Sequence, residues 1–101
     1  DFTASAGSDV FAIASGVVVW AGYEKDYGNL VEIRHSNGYR TRYAHNREYL
    51  VKPGDVVHKG QVIARVGRTG RASGAHLHLE VLSGDRHVDS MQYISTIRGD
   101  A

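Results

Sequence analysis

Short runs rich in valine and isoleucine, cut repeatedly by glycine, dominate the hydrophobic pattern of this chain. Val10 to Ala14 and Gly16 to Ala21 form two apolar runs parted at Ser15-Gly16. After a turn at Lys25–Asn29, the segment "LVEIRH" alternates, with Leu30, Glu32 and Arg34 on one face and Val31, Ile33 and His35 on the other. A period of two marks a strand, because successive side chains of an extended backbone point to opposite sides. Ser36-Asn37-Gly38 follows, and Asn-Gly accepts positive φ at both central positions of a tight turn. It predicts an antiparallel hairpin between Leu30–His35 and Tyr39–His45, with Tyr39, Thr41, Tyr43 and His45 on one face and His45 ending the strand.

Further along, Pro53-Gly54 and Lys59-Gly60 are turn signals around extended segments at Asp55 to His58 and Gln61 to Val66. Residues 67–75 hold three glycines and no apolar side chain larger than alanine, which predicts a loop. That loop feeds "HLHLEV", where His76, His78 and Glu80 share one face and Leu77, Leu79 and Val81 the other. The segment from His87 to Ile97 either completes a sheet or makes one helical turn, since its periodicity fits both. No amphipathic helix of twelve or more residues is visible, and "GSDVFAIASGVV" is weakly echoed by "GDVVHKGQVI", as in a folded-over β architecture. The expected fold is all-β: a compact, single-domain antiparallel structure.

At 101 residues the chain is one domain by size, long enough to bury about 60 to 70% of the surface its unfolded form exposes. With no cysteine it has no disulfide, thiolate ligand or thiol nucleophile, so any metal must be held by His, Asp or Glu. A net charge of +1 excludes the electrostatic footprint of a dedicated nucleic-acid binder. No apolar run approaches the ~20 residues of a membrane span. Arg65, Arg68 and Arg71 cluster before the His-Leu-His strand; they read either as a solvated loop or as a docking site for substrate carboxylates.

Of the six histidines, His35, His58 and His87 stand beside turn signals and read as ordinary polar residues. His76 and His78 differ, for they share the polar face of an apolar strand. Residues i and i+2 lie roughly 6 to 7 Å apart along a strand, so one imidazole can hold a metal while the other reaches a water on that metal.

Taken together, "DFTASAGSDVFAIASGVV", "GNLVEIRHSNGYRTRYAH", "VKPGDVVHKGQVIARVGRTGRASGAHLHLEV" and "VDSMQY" resemble the lysostaphin-type, or LytM-type, zinc metallopeptidases. The most specific elements are Tyr-Ala-His and Thr-Gly-x-x-x-Gly-x-His-Leu-His-x-Glu, and the resemblance runs from Asp1 to about Tyr93. It implies a duplicated hybrid β fold and a zinc-dependent endopeptidase acting on the peptide cross-links of bacterial peptidoglycan, in the periplasm or extracellular cell envelope.

The resemblance also implies roles residue by residue. Asp1 and His78 match zinc ligands, and His45 and His76 match the two catalytic histidines that do not bind the metal. The family's remaining ligand is a His four positions before the matching Asp, so residues 1–101 are expected to be a LytM-type domain truncated just before Asp1. Three protein ligands leave a fourth position for water, whose pKa zinc lowers towards ~7. His76 is the expected general base and His45 the donor to the oxyanion, with the two roles exchangeable. Glu80 reads as a partner orienting the ligand or as a plain surface charge, and Tyr39 or Tyr43 as groove-lining or as sheet packing. The expected partners are peptidoglycan peptide stems, with an inhibitory segment or another cell-wall hydrolase as further candidates.

Two other readings compete. One is a degenerate LytM-type module that binds and activates other cell-wall hydrolases without cleaving anything itself. The other is a biotinyl- or lipoyl-type carrier domain, which "VKPGDVVHKGQVIARV" resembles; it needs a lysine at a hairpin tip, and Ser36-Asn37-Gly38 has none.

Overall fold

The computed structural model describes the backbone of residues 2–3, 6–67, 76–84 and 86–88, and the side chains of residues 6–67, 78–84 and 86. Among the described residues there are strands and no helix: β1 (Phe2–Thr3), β2 (Asp9–Phe11), β3 (Gly16–Glu24), β4 (Gly28–Arg34), β5 (Tyr39–Tyr49), β6 (Val56–Val57), β7 (Val62–Val66), β8 (His76–Ser83) and β9 (Arg86–Val88). Their order in the sheet is β1-β8-β5-β4-β3-β6, with β9 on β8 and β2 on β7, and every pairing is antiparallel. The all-β expectation holds.

The alternating residues behave as their polarity requires. Val31 and Ile33 of β4, Tyr43 of β5 and Leu79 of β8 turn inward and meet Val10, Val18, Val57 and Ile63 in one core. Each such side chain contributes roughly 1.5 to 3 kcal/mol by leaving water. Tyr43 is wholly buried, so it packs the core and does not line a groove. Tyr39 is partly exposed at the far end of β5, opposite Ser83.

The β4–β5 hairpin forms where Asn-Gly places it, but with a different turn. Only Gly38 has positive φ, at 83°. The N–H of Gly38 donates to the carbonyl of His35 at 3.2 Å and the N–H of His35 to that of Tyr39 at 2.8 Å. These bonds close a three-residue loop, a tight turn followed by a left-handed glycine, which spares Asn37 the positive φ that a two-residue loop demands. The segment after it runs past His45 to Tyr49 because β5 exchanges one neighbour for another: β8 borders it from Tyr39 to Ala44, and β7 from Asn46 to Tyr49.

Other expectations are adjusted. Phe2–Thr3, for which the sequence pattern made no assignment, pairs with β8, and Arg86–Val88 adds a further strand beside β8, so the start of the His87–Ile97 segment is extended. His35 is no surface turn residue: only 5% exposed, it donates from Nδ1 to the carbonyl of Ser15 at 2.7 Å, and its Nε2 meets the Thr41 hydroxyl at 2.9 Å. Arg65 is tied to Glu48 at 2.9 Å and Asp9 at 3.4 Å in exposed ion pairs. The expected 67–75 loop, beyond Gly67, and with it Arg68 and Arg71, lies outside the described residues.

Candidate active site

The polar face of β8 is set by its register with β5. Ala44 stands opposite His78, Tyr43 opposite Leu79 and Arg42 opposite Glu80. Leu79 and Tyr43 point into the core, so His78, Glu80 and Arg42 share the other face.

Regular alternation would send His45 inward after Tyr43. A β-bulge prevents this. Between the pairs Asn29↔Asn46 and Val31↔Tyr43, β4 contributes Leu30 alone while β5 contributes Ala44 and His45. The extra residue re-aims the side chain, and His45 takes φ 61°, unique among the non-glycine residues described. Its ring then lies edge-on to His78, with centroids 5.5 Å apart and planes at 65°. The face assigned to His45 from sequence is therefore corrected: it joins His78, not Tyr43.

The bulge is held by backbone-directed hydrogen bonds. The N–H of His45 donates to the carbonyl of Tyr27. The Asn46 amide donates to Tyr43 O at 2.7 Å and Asn29 O at 3.0 Å, while the Asn29 amide donates to Asn46 O at 3.1 Å and Arg47 O at 3.0 Å. Gly67 backs onto the same place: a Cβ there would lie 2.3 Å from Arg47 N, so only glycine lets β7 come this close.

Around His78 the charges are ordered. A carboxylate oxygen of Glu80 accepts from His78 Nε2 at 3.0 Å. Because a carboxylate only accepts, Nε2 is the donor in this contact. The Tyr27 hydroxyl also donates to Glu80, at 3.1 Å, and Arg42 stands 3.7 Å from that carboxylate while its Nε pairs with Glu32 at 2.7 Å. Burial first, and then the Glu80 carboxylate, push the Tyr27 phenol above its ordinary pKa, so it remains a donor. Arg42 lies over the Tyr27 ring, 5.7 Å from its centroid.

Of the four residues expected to form the site, the structure brings His45 and His78 together. His76 belongs to β8 by its backbone, opposite Thr3; its ring, like all of Asp1, lies outside the described residues. Among the described residues no group of three His, Cys, Asp or Glu side chains gathers to hold a metal. The described part of the donor set nonetheless fits one. A histidine donating one ring nitrogen to a carboxylate, with its other lone pair directed elsewhere, is the usual arrangement of a metal-ligating imidazole. Sequence reasoning missed Tyr27, Arg42 and Glu32. The last two were within reach, since the Asn-Gly hairpin puts Glu32 opposite Arg42; a tyrosine in a turn carries no such signal.

Comparison with known proteins agrees with this architecture. The sequence model of "Peptidase family M23" matches residues 1–90. Peptidoglycan DD-endopeptidase ShyC of Vibrio cholerae is 45% identical over 87 residues, which are 86% of this chain and 20% of that protein. The crystal structure of a zinc containing peptidase from Vibrio cholerae has a TM-score of 0.83 at 42% identity, covering 87% of this chain and 27% of that one. The catalytic domain of lysostaphin from Staphylococcus simulans has a TM-score of 0.85 at 34% identity, over 91% of this chain and 74% of that one. The matched region makes up about a fifth of the length of ShyC and of two further Vibrio cholerae endopeptidases, ShyB and ShyA.

Proposed function

The chain belongs to peptidase family M23, and from that premise we propose that it is a zinc-dependent endopeptidase hydrolysing peptide cross-links of bacterial peptidoglycan in the periplasm or cell envelope. The observation that carries this reading is the approach of His45 to His78 on the polar face of the sheet, 5.5 Å between ring centroids, against what strand alternation alone would produce.

His78 and Asp1 are the proposed zinc ligands in this chain. His78 offers Nδ1, because Nε2 is engaged by Glu80. Asp1 immediately precedes β1, whose Phe2 pairs with Leu77 beside the ligand. Zinc supplies Lewis acidity, polarising a peptide carbonyl and acidifying a water at neutral pH. His76 accepts the proton from the attacking water and returns it to the departing amine. His45 donates to the oxygen that becomes negative during attack, a contact worth about 3 to 4 kcal/mol in comparable sites. Glu80, Tyr27 and Arg42 hold the His78 ring in its tautomer and orientation.

The test is zinc content together with cleavage of purified muropeptide dimers. His78→Ala is expected to lose both, whereas His45→Ala keeps zinc and loses cleavage. Cleavage at an unchanged rate in His78→Ala would overturn the ligand assignment. A protein that binds peptidoglycan, cuts no cross-link and stimulates another cell-wall hydrolase would instead establish a non-catalytic module.

A further inference from the structure

On the face that carries His78, an open groove of about 560 Å³ lies over β3 and β4. A cross-strand row links it to the site: Trp20 stands opposite Glu32, Glu32 opposite Arg42, and Arg42 opposite Glu80. A bulge at Val19 shifts the β3 register just before Trp20. The indole lies over Gly22 and remains 45% exposed, with Leu30 lining the groove beside it.

The charges along this groove are not equally satisfied. Glu32 has both oxygens engaged, by Arg40 at 3.0 Å and by Arg42 at 2.7 Å. Glu24, at the turn end of β3, accepts from the Tyr27 N–H at 3.1 Å. Arg34 differs. It stands directly opposite Arg40, a like-charge pairing that costs stability, and among the described residues no carboxylate lies within ion-pair distance of it. An exposed guanidinium beside a second arginine, next to an indole and a leucine, is complementary to a carboxylate on a mainly aliphatic body.

Geometry says where such a carboxylate would sit on a substrate. The Arg34–Arg40 pair is four residues along β5 from the Ala44–His78 pair, roughly 13 Å at strand rise, and β4 is two strands across from β8, roughly 10 Å. An extended peptide crosses the resulting gap of roughly 16 Å in about five residues. We propose, resting on the peptidase reading above, that this groove is a substrate subsite in which Arg34 pairs with a stem-peptide carboxylate roughly 16 Å along the extended substrate from the scissile bond while Trp20 carries its aliphatic part.

The experiment compares wild type, Arg34→Gln and Arg34→Lys on muropeptide dimers with free stem carboxylates and on the same dimers amidated. For the free acid, Arg34→Gln is expected to raise KM roughly tenfold or more with kcat unchanged, and Arg34→Lys to recover part of the loss. On the amidated dimer the three proteins should agree. Equal KM for wild type and Arg34→Gln on the free acid overturns the subsite while leaving the peptidase reading intact. Binding of the free and amidated stem peptides, followed by calorimetry, separates the two claims. If nothing is cleaved, tighter binding of the free acid that Arg34→Gln abolishes sustains the subsite without the peptidase, and equal or absent binding sinks it.

Discussion

The rings of His45 and His78 meet edge to face at 5.5 Å although their strands are paired through Ala44, the residue before His45. One additional residue in β5 accomplishes this. It breaks the inward-outward alternation at the point where β5 leaves β8 for β7, and places an imidazole over the polar face that a regular strand would have buried beneath it. The local cost is a left-handed backbone at a residue with a Cβ, of order 1 to 3 kcal/mol.

That cost can be measured. His45→Gly should be at least as stable as wild type in urea unfolding, since glycine takes φ 61° freely, yet lose a factor of roughly 10² to 10³ in kcat. His45→Val should lose the activity and also about 1 kcal/mol or more of stability, because a β-branched residue resists positive φ. Equal stabilities for the glycine and valine variants would show that the strain is absent.

Asn46 is nearly inaccessible and its amide bridges Tyr43 O and Asn29 O across the bulge. Removing it leaves two carbonyls poorly satisfied. Asn46→Ala should cost about 2 to 3 kcal/mol in denaturant titration and lower cleavage more than zinc affinity, because His45 depends on the bulge and His78 lies on the neighbouring strand. Loss of zinc with retained cleavage would contradict this division.

Glu80 fixes the His78 tautomer. Glu80→Gln keeps the size but can present an N–H to the imidazole instead of an acceptor. Zinc affinity, read by competition with a chromophoric chelator, should fall roughly 10- to 100-fold. An unchanged affinity would reduce Glu80 to a surface charge paired with Arg42.

Burial pushes the pKa of His35 below the ordinary histidine range, partly offset by its bond to Ser15 O. The unfolded chain therefore takes up this proton more readily than the folded one. The corresponding stability is complete above the unfolded value and is lost as pH falls from there through the lower folded one. Stability measured between pH 7.5 and 5 should decline more steeply in wild type than in His35→Gln. Parallel profiles would mean that the buried ring contributes nothing to acid sensitivity.

Much of the architecture was legible in the chain. Alternation in "LVEIRH" assigned the faces of β4 correctly, and alternation in "HLHLEV" did so for His78 to Val81 of β8, because a strand inside one sheet keeps a period of two. Asn-Gly located the hairpin, and the spacing from it aligns Glu32 with Arg42. Residue types also singled out His78, since an imidazole on the polar side of an apolar strand has few structural uses. His35 was misjudged for the opposite reason: beside a turn it looks solvated, and only the packing of β3 and β5 around it reveals the Ser15 and Thr41 partners.

The sequence by itself determined an all-β chain, the faces of its regular strands and the residue types available for metal chemistry, because those follow from local polarity, turn propensity and side-chain chemistry. Only the tertiary structure decided which side of the sheet His45 occupies, that Tyr27 reaches Glu80, and that Arg34 faces Arg40 over an open groove. A bulge, a turn folded back on a strand and two like charges set side by side are fixed by long-range pairing between segments, and no short-range periodicity encodes them.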